Sequence, residues 1–275
     1  MTNLEGKVAF ITGVARGQGR AHAVKLASLG ADIIGVDICA DIDSMDYPNA
    51  TREDLDETVR LVEKEGQRMV GRVADVRDQG ALADAFGVGQ AEFGRLDIVI
   101  ANAGIVRLTD SDDRRSVWRD IVDTNLTGTW NTIEVALPAL RENGSGGSIV
   151  ITSSSAGLKG TATDNAGAQA YTASKRGLVG LMQSLANQYA SEWIRVNTIH
   201  PTGVATGMTM NAAMETLFAA AAAGETTGLS TMQNLLPIEI LQPEDIANAV
   251  AWLVSDEARF VTGIALPLDA GFSIR

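Results

Sequence analysis

The stretch VAFITGVARGQGR, from Val8 to Arg20, joins a short apolar run to a glycine-rich turn and then to an alanine-rich helical pattern. Gly13 can form the tight turn, while Gly17 and Gly19 let backbone N–H groups approach a diphosphate. The positive end of the following helix dipole points at the same place. The stretch therefore predicts a strand, a phosphate-binding turn and a helix, with a purely structural glycine turn as the alternative.

Short apolar runs recur along the chain, and stretches of helical length separate them. The strands are predicted at residues 8–12, 32–37, 69–76, 96–101, 148–152, 195–200 and 263–269, and the helices at about 18–29, 52–65, 79–93, 114–141, 169–190 and 244–255. The near-continuous Val, Ile and Ala content favours strands buried on both faces of a parallel sheet. The alternation predicts one α/β domain over residues 1–275, a Rossmann-type doubly wound parallel sheet of about seven strands with helices on both faces. Its ligand crevice is expected at the carboxyl ends of the strands.

Composition and charge exclude several classes of protein. The chain is 45% hydrophobic and 20% charged, which is typical of a globular protein, and its net charge of -12 has the wrong sign for binding nucleic acid. The single cysteine, Cys39, cannot form an internal disulfide, and one cysteine with two histidines does not provide the usual zinc ligands, so we expect no metal. The polar N-terminus and the short apolar runs predict neither a signal peptide nor a membrane span, and we expect a cytoplasmic protein.

Two segments exceed the usual connection length of about 2–6 residues. An insertion covers about residues 38–51, and a second segment covers about 206–242; both follow strand ends, where covers of a ligand crevice are expected. The second segment carries flexible apolar side chains, namely Met208, Met210, Met214, Leu217, Phe218, Met232, Leu235 and Leu236. These side chains predict an adaptable substrate lid, although an amphipathic helix packed on the core explains the pattern equally well.

Asp37 ends the second predicted strand, about twenty residues beyond the glycine turn. A carboxylate at this position can accept hydrogen bonds from both hydroxyls of an adenosine ribose. Because the same charge repels a 2′-phosphate, Asp37 favours NAD over NADP. The alternative role for this residue is that of a turn former.

Tyr171 and Lys175 are four residues apart in a predicted helix, so their side chains lie on one face. A phenol has an ordinary pKa near 10, and moving it toward 7 takes about 4 kcal/mol of anion stabilisation. A neighbouring ammonium group is the obvious source of that stabilisation. The pair is thus a candidate for proton transfer, although the spacing alone is also typical of a surface pair.

Several short motifs together resemble the short-chain dehydrogenase/reductase family over about residues 4–272. The matching marks are Thr12-Gly13 with Gly17-Gln18-Gly19, Ala74-Asp75-Val76, Asn102-Ala103-Gly104, Asn125-Leu126-Thr127-Gly128, Ser153-Ser154, Tyr171 with Lys175, and His200-Pro201-Thr202-Gly203. The resemblance implies an enzyme that transfers a hydride between NAD and a secondary alcohol or ketone. It also implies a homotetramer assembled through the helices around 114–141 and 169–190 and the C-terminal segment.

The resemblance assigns a role to each catalytic candidate. Tyr171 becomes the general acid and base, while Lys175 binds the nicotinamide ribose and lowers the pKa of Tyr171. Ser154 holds the substrate oxygen, with Ser153 and Ser155 as alternatives. Asn125, for which the alternative is a solvated helix residue, carries a water relay.

The resemblance also implies a set of cofactor-binding residues along the crevice. Asp75 and Val76 are expected near the adenine, the segment 102–104 along the ribose and diphosphate, and Val204 with Thr206 near the nicotinamide amide. The full set is Gly13, Arg16, Gly17, Gln18, Gly19, Asp37, Ile38, Asp75, Val76, Asn102, Ala103, Gly104, Tyr171, Lys175, Pro201, Val204, Thr206 and Met208. The two histidines, His22 and His200, are expected to be structural.

The insertion departs from the common length of the family, and residues 203–208 read Gly-Val-Ala-Thr-Gly-Met. Both features resemble the mycofactocin-associated, carveol dehydrogenase-like branch. This resemblance implies an NAD so tightly bound that it hardly exchanges, with the insertion as a clamp and mycofactocin as a redox partner. It also implies an apolar substrate such as a carveol-like or carvone-like terpenoid.

Two other classes of protein share the glycine turn and Asp37, namely a non-catalytic dinucleotide-sensing regulator and a methyltransferase. A sensor has no need of Tyr171, Lys175 and Ser154. A methyltransferase is not expected to contain Asn125 together with Tyr171. The joint presence of these residues favours the enzyme.

Overall fold

The predicted strands form one sheet in the computed structural model, which describes residues 3–160, 163–223 and 233–275. Within these residues seven strands pair in the order β3-β2-β1-β4-β5-β6-β7, and every pair is parallel. The strands are β1 (Val8–Thr12), β2 (Asp32–Asp37), β3 (Met69–Val73), β4 (Ile98–Ala101), β5 (Gly147–Thr152), β6 (Ile194–Pro201) and β7 (Ala265–Leu268). The doubly wound α/β class is therefore confirmed.

Eight α-helices flank this sheet in the described part of the chain. They are α1 (Gly17–Ala27), α2 (Arg52–Lys64), α3 (Gln79–Phe93), α4 (Arg114–Val122), α5 (Gly128–Glu142), α6 (Ala166–Tyr189), α7 (Ala212–Ala222) and α8 (Pro243–Val254). Consecutive residues of β1 point to opposite faces. Phe10 joins the buried cluster shared with α3, α5 and α6, whereas Ile11 joins the cluster shared with α1, α2 and α8. Burial on both faces explains why the strand sequences lack polar alternation.

Helix caps set two boundaries that matter for the site. Thr51 and Asp54 form a reciprocal capping box at the start of α2, which ends the insertion. Asn165 caps α6, because its side chain accepts a hydrogen bond from the Ala168 N–H at 2.8 Å. The helix therefore begins at Ala166, three residues before the predicted start at 169.

The chain is helical throughout the predicted range of about 114–141, but the helix is not regular. A π-helical turn, Asp123–Thr127, lies between α4 and α5. Such a turn accommodates an extra residue and is frequent at functional sites. Gly128 directly follows it, and a Cβ there would lie 2.5 Å from Val76 Cγ2, so the glycine allows α5 to pack close to the end of the third strand.

The third strand is shorter than predicted. It ends at Val73 rather than at residue 76, because the Ala74 N–H still bonds the Asp37 carbonyl oxygen but Asp75 then turns. The Asp75 side chain accepts from the Arg77 N–H at 2.9 Å and from Arg77 Nε at 2.8 Å. This local hydrogen-bonded turn replaces further sheet pairing.

The second long segment, about 206–242, contains α7 in its first half. Met232, which belongs to the predicted lid, lies outside the described residues. Within the described ranges, none of the helices combines the length and the apolar character needed to cross a membrane.

His22 on α1 is fully buried, and neither ring nitrogen has a hydrogen-bond partner among the described residues. Burial lowers its pKa from 6.5 to about 3. Because the unfolded chain binds the proton below pH 6.5 and the folded chain does not, this residue reduces stability as the pH falls from 6.5 toward 3. We expect His22→Leu to remove that loss. The difference in unfolding free energy between the variant and the wild type should therefore increase in favour of the variant by about 2 kcal/mol when the pH falls from 7 to 5.

Urea unfolding of both proteins at pH 8, 7 and 5 measures this difference. It should change little between pH 8 and pH 7, where His22 is mostly neutral in both states. A difference that also stays constant down to pH 5 contradicts the prediction.

Candidate active site

The glycine turn after β1 forms one wall of the site at the carboxyl edge of the sheet. Gly13 and Gly17 have positive φ angles of 67° and 56°, a region that other residues rarely adopt. A Cβ at Gly19 would lie 1.9 Å from the Gly13 carbonyl oxygen. A turn this tight is therefore possible only with glycine at these positions. The turn leads directly into the N-terminus of α1.

Asp37 connects this turn to β2. Its Oδ2 accepts a hydrogen bond from the Ala15 N–H at 2.9 Å, and the Cys39 N–H approaches Oδ1 at 3.4 Å. Burial raises the pKa of Asp37, and these backbone hydrogen bonds oppose the rise. The carboxylate thus fixes the turn and, at the same time, lines the crevice.

Asn102 connects the ends of three neighbouring strands. Its Nδ2 donates to the carbonyl oxygens of Thr12 and Gly13, both at 3.2 Å, and its Oδ1 accepts from Thr152 Oγ1 at 3.2 Å. Two residues further on, a Cβ at Gly104 would lie 3.3 Å from Asn125 Oδ1. The segment 102–104 therefore holds β1, β4 and β5 at fixed spacing where their ends line the crevice.

Asn125 lies in the π-helical turn and is fully buried. Its Oδ1 accepts from the Ile105 N–H at 2.8 Å, and its Nδ2 donates to the Ile105 carbonyl oxygen at 2.9 Å. The side chain thus holds the loop that follows β4. A solvated helix residue, the alternative considered for Asn125, does not fit this burial.

Tyr171 and Lys175 lie on one face of α6, as predicted. Lys175 Nζ is 5.5 Å from the centre of the Tyr171 ring and donates to the Thr152 carbonyl oxygen at 2.7 Å. Lys175 is only 3% exposed. Lys175 is therefore buried beside the end of β5 and Tyr171 is half-buried, so the surface-pair alternative does not fit.

The electrostatics of this pair differ from the expectation. Burial lowers the pKa of Lys175 to about 7 and raises the pKa of Tyr171, although a hydrogen bond with the Ser154 side chain opposes the second change. These side chains by themselves therefore do not give the predicted lowering of the Tyr171 pKa. Desolvation favours the neutral form of Lys175, which weakens the positive charge that would stabilise the Tyr171 anion.

The three candidate serines have different partners. Ser153 Oγ donates to the Lys175 carbonyl oxygen at 2.9 Å. Ser155 is buried in a short helical turn. Ser154 Oγ accepts from the Ala156 N–H at 3.2 Å and is the serine that hydrogen-bonds Tyr171. Of the three, Ser154 has the geometry for sharing a ligand oxygen with Tyr171.

His200 holds the Ser154 backbone in place. Its Nδ1 lies 2.8 Å from the Ser154 carbonyl oxygen, and its Nε2 lies 2.8 Å from Thr198 Oγ1. Sequence reasoning gave His200 a structural role but could not find this contact, because β5 and β6 meet only in the folded sheet.

A single cavity of about 1360 Å³ collects these residues. Every predicted catalytic or cofactor-binding residue lines it except Gly19, which packs against Gly13, and Asn125, which lies behind Ile105. The volume exceeds the roughly 300–1,000 Å³ of an ordinary ligand pocket, so there is room for a dinucleotide and a small substrate together.

Two buried polar atoms support binding of a dinucleotide. Gln18 Oε1 and Thr124 Oγ1 have no hydrogen-bond partner among the described residues, and both residues line the cavity. Buried polar groups are normally paired, so these atoms are available to a polar ligand. Together with the glycine turn, their placement fits NAD.

The two long segments meet over this cavity. Ile38, Ile42 and Tyr47 of the insertion line it, as do the side chains Met208, Met210, Met214, Leu217, Phe218 and Leu236 of the second segment. The role of the second segment as a substrate lid stays a prediction. Tyr47 was missed by the sequence reasoning, and the one available signal is that it is the only aromatic residue of the insertion.

Comparisons with known proteins agree with this arrangement. A family model described as enoyl-(acyl carrier protein) reductase matches residues 13–273. An uncharacterized oxidoreductase of Mycobacterium tuberculosis (strain CDC 1551 / Oshkosh) is 54% identical over 269 residues, which cover 98% of this chain and 97% of the relative. The (-)-trans-carveol dehydrogenase of Rhodococcus erythropolis is 44% identical over 281 residues, covering 100% of both chains. The crystal structure of carveol dehydrogenase from Mycobacterium avium in complex with NAD has a TM-score of 0.91 at 44% identity, again over 100% of both chains.

Fold and comparisons together define an NAD-dependent oxidoreductase, and its crevice contains Ser154, Tyr171 and Lys175. The match over nearly the whole chain makes the assignment specific: the protein belongs to the short-chain dehydrogenase/reductase family.

Proposed function

We propose that this protein is an NAD-dependent oxidoreductase that converts a secondary alcohol to its ketone, or the reverse. The observation that carries the proposal is the convergence of Ser154, Tyr171 and Lys175 on one cavity with the glycine turn and Asp37. The carveol dehydrogenase relatives, one of them solved with NAD, support the same activity.

Each residue of the centre has a distinct task in the proposed reaction. NAD, when bound, supplies or takes up the hydride. Tyr171 gives its proton to the substrate oxygen during reduction and takes it back during oxidation. Ser154 holds that oxygen by a hydrogen bond, and Lys175 binds the nicotinamide ribose and stabilises the Tyr171 anion. Asn125 keeps the loop beyond β4 in place and carries the water relay that supplies the proton.

The two rival classes receive less support. A sensor does not need a buried Lys175 beside Tyr171, and burying an ionisable amine without a use is unfavourable. A methyltransferase does not account for the hydrogen bond between Ser154 and Tyr171. The enzyme accounts for all three side chains.

The insertion supports tight retention of NAD. Arg16 Nη2 of the glycine turn donates to the Pro48 carbonyl oxygen at 2.6 Å. Arg107 Nη1 donates to the Ser44 carbonyl oxygen at 3.0 Å, and Ser44 Oγ donates to Asp120 Oδ2 at 2.6 Å. Because these contacts fasten the insertion to the glycine turn, to the loop after β4 and to α4, we expect a bound dinucleotide to leave only when they open. We therefore include mycofactocin as the proposed partner that reoxidises NADH in place.

The substrate is proposed to be a largely apolar secondary alcohol or ketone, with carveol-like terpenoids as the model. The apolar side chains of the second segment along the cavity support this class.

A homotetramer is proposed on the family pattern, through α4, α5, α6 and the C-terminal segment. Trp118 of α4 and Trp130 of α5 are each 43% exposed, and large exposed aromatic side chains are enriched at interfaces. Light scattering of the purified protein measures the assembly directly.

Replacement of the acid–base residue is the principal test of the proposed chemistry. We expect Tyr171→Phe to lower kcat for alcohol oxidation by about 10²–10⁴-fold, the usual contribution of a positioned acid or base, while NAD remains bound. Tyr189→Phe removes a hydroxyl at the end of α6 that accepts from Gln188 Nε2, and it should leave kcat unchanged. Hydride transfer at the wild-type rate in Tyr171→Phe rules out the proposal.

Replacement of Asp37 tests the choice of dinucleotide. We expect Asp37→Ser to weaken NAD binding and to raise the NADP/NAD ratio of kcat/KM by about tenfold or more, because it removes a charged acceptor worth about 1.5–3 kcal/mol. Asp37→Asn keeps an oxygen for the Ala15 N–H and removes only the charge, so it separates repulsion of the 2′-phosphate from damage to the turn. A wild-type enzyme that prefers NADP contradicts the assignment.

Retention of NAD can be measured without any substrate. We expect the wild-type protein to keep NAD through prolonged dialysis, as judged by absorbance and mass spectrometry. Ser44→Ala should release it about fivefold faster, since one hydrogen bond of about 1 kcal/mol is lost. Ser28→Ala, which removes an exposed hydroxyl bonded to the Lys25 carbonyl oxygen, is the control. A wild-type protein free of dinucleotide after dialysis argues against the clamp.

A further inference from the structure

Tyr47 contributes a second phenol to the cavity that contains Tyr171. It is the only aromatic residue of the insertion, and it is buried with 9% of its surface exposed. It lines the main cavity and also a small adjoining one, whose other walls include Val106, Met214 and Leu217. A residue of the insertion therefore lies beside residues of the second segment, the predicted substrate lid.

The hydrogen bonds of Tyr47 leave one donor free. Its hydroxyl oxygen accepts from the Val106 N–H at 3.2 Å. Among the described residues no acceptor takes the hydroxyl proton in return. Burial raises the pKa of Tyr47 to about 12, so the phenol keeps that proton over the whole working range. Because Tyr47 lines the main cavity, an acceptor oxygen of a ligand bound there can take this proton.

The insertion is fixed on both sides of Tyr47. Thr109 Oγ1 donates to Asp46 Oδ2, and Arg107 Nε lies 3.8 Å from the same carboxylate. On the other side, Arg16 holds the Pro48 carbonyl oxygen. These contacts hold the backbone on both sides of Tyr47, which limits the positions that the phenol can reach.

The insertion also packs against the catalytic tyrosine. Ile38, Ile42 and Met45 belong to the same apolar cluster as the Tyr171 ring. The two phenols are close enough that the negative charge of one raises the pKa of the other. Tyr47 also shares the small adjoining cavity with Met208, Met214 and Leu217 of the second segment, so its free donor faces the part of the crevice that the predicted substrate lid covers.

We infer that Tyr47 is a substrate-contacting residue whose hydroxyl donates a hydrogen bond to a second oxygen of the substrate. This inference rests on the proposed function and sharpens it: the preferred substrates are largely apolar secondary alcohols or ketones that carry one further acceptor oxygen. A substrate without that oxygen leaves the buried donor unpaired, and such sites discriminate strongly against the analogue that lacks the partner.

Matched pairs of alcohols test this inference. Cyclohexanol with a methoxy group at ring position 2, 3 or 4 offers the acceptor, and the ethyl-substituted alcohol of the same shape does not. We expect wild-type kcat/KM to favour the methoxy alcohol about tenfold at one ring position at least. In Tyr47→Phe the preference should fall to within about twofold, while Tyr189→Phe should retain it. Mass spectrometry should find the same NAD occupancy in all three proteins.

Several results would overturn the inference. These are equal rates for methoxy and ethyl alcohols at every position in the wild type, or a preference that survives in Tyr47→Phe. Loss of NAD from Tyr47→Phe with the preference unchanged would assign the phenol to the cofactor instead. The wild-type comparison needs no variant, so it holds even if Tyr47→Phe, which leaves the Val106 N–H unpaired, folds poorly.

Binding separates this inference from the proposed function. The affinities of the matching methoxy and ethyl ketones for the NAD-bound protein, measured by calorimetry, do not depend on turnover. A methoxy preference in binding without any oxidation of the alcohols refutes the proposed reaction and supports the Tyr47 contact. Turnover of all six alcohols without a methoxy preference in rate or in binding refutes the contact alone.

Discussion

The close approach of the chain to itself between Gly13 and Gly19 is the constraint on which the site depends. The turn is held from three directions: the Asp37 carboxylate accepts its Ala15 N–H, Asn102 donates to its Gly13 carbonyl oxygen, and Thr58 Oγ1 of α2 donates to the Ala15 carbonyl oxygen at 2.9 Å. Strands β1, β2 and β4 are therefore fixed to one another at the edge where a diphosphate is bound. A cradle prepared in this way needs little rearrangement when the ligand arrives.

The sequence predicted the sheet well, because burial on both faces leaves a local signature. The residues 8–12 and 32–37 are continuous apolar or small runs, and both strands have the predicted bounds. The end of β3 and the π-helical turn could not be predicted in the same way. The end of β3 depends on the hydrogen bonds between Asp75 and Arg77. The π-helical turn lies where Asn125 bonds Ile105, twenty positions away. Neither contact leaves a periodic pattern in the sequence.

The site was predictable in its residue types and less so in its electrostatics. Spacing and motifs found Tyr171, Lys175 and Ser154, while the hydrogen bond between Ser154 and Tyr171, which favours Ser154 over its two neighbours, is visible only in the fold. The pKa values depend on desolvation, which a sequence does not show. Tyr47 illustrates the same limit, since its partner, Val106, belongs to a distant loop that meets the insertion only in the fold.

Burial of Lys175 has a structural reason besides its part in the chemistry. Its Nζ donates to the Thr152 carbonyl oxygen, while its own carbonyl oxygen accepts from Ser153 Oγ, so both ends of the residue fasten α6 to the end of β5. Ser154 lies two residues beyond that strand end, and Tyr171 lies one turn before Lys175 on the helix. Lys175 therefore helps to set the distance between Ser154 and Tyr171. For this reason we expect replacement of Lys175 to disturb both the position and the pKa of Tyr171. Substrate affinity, to which Ser154 contributes, reports the change in position, and the pH profile of kcat reports the change in pKa.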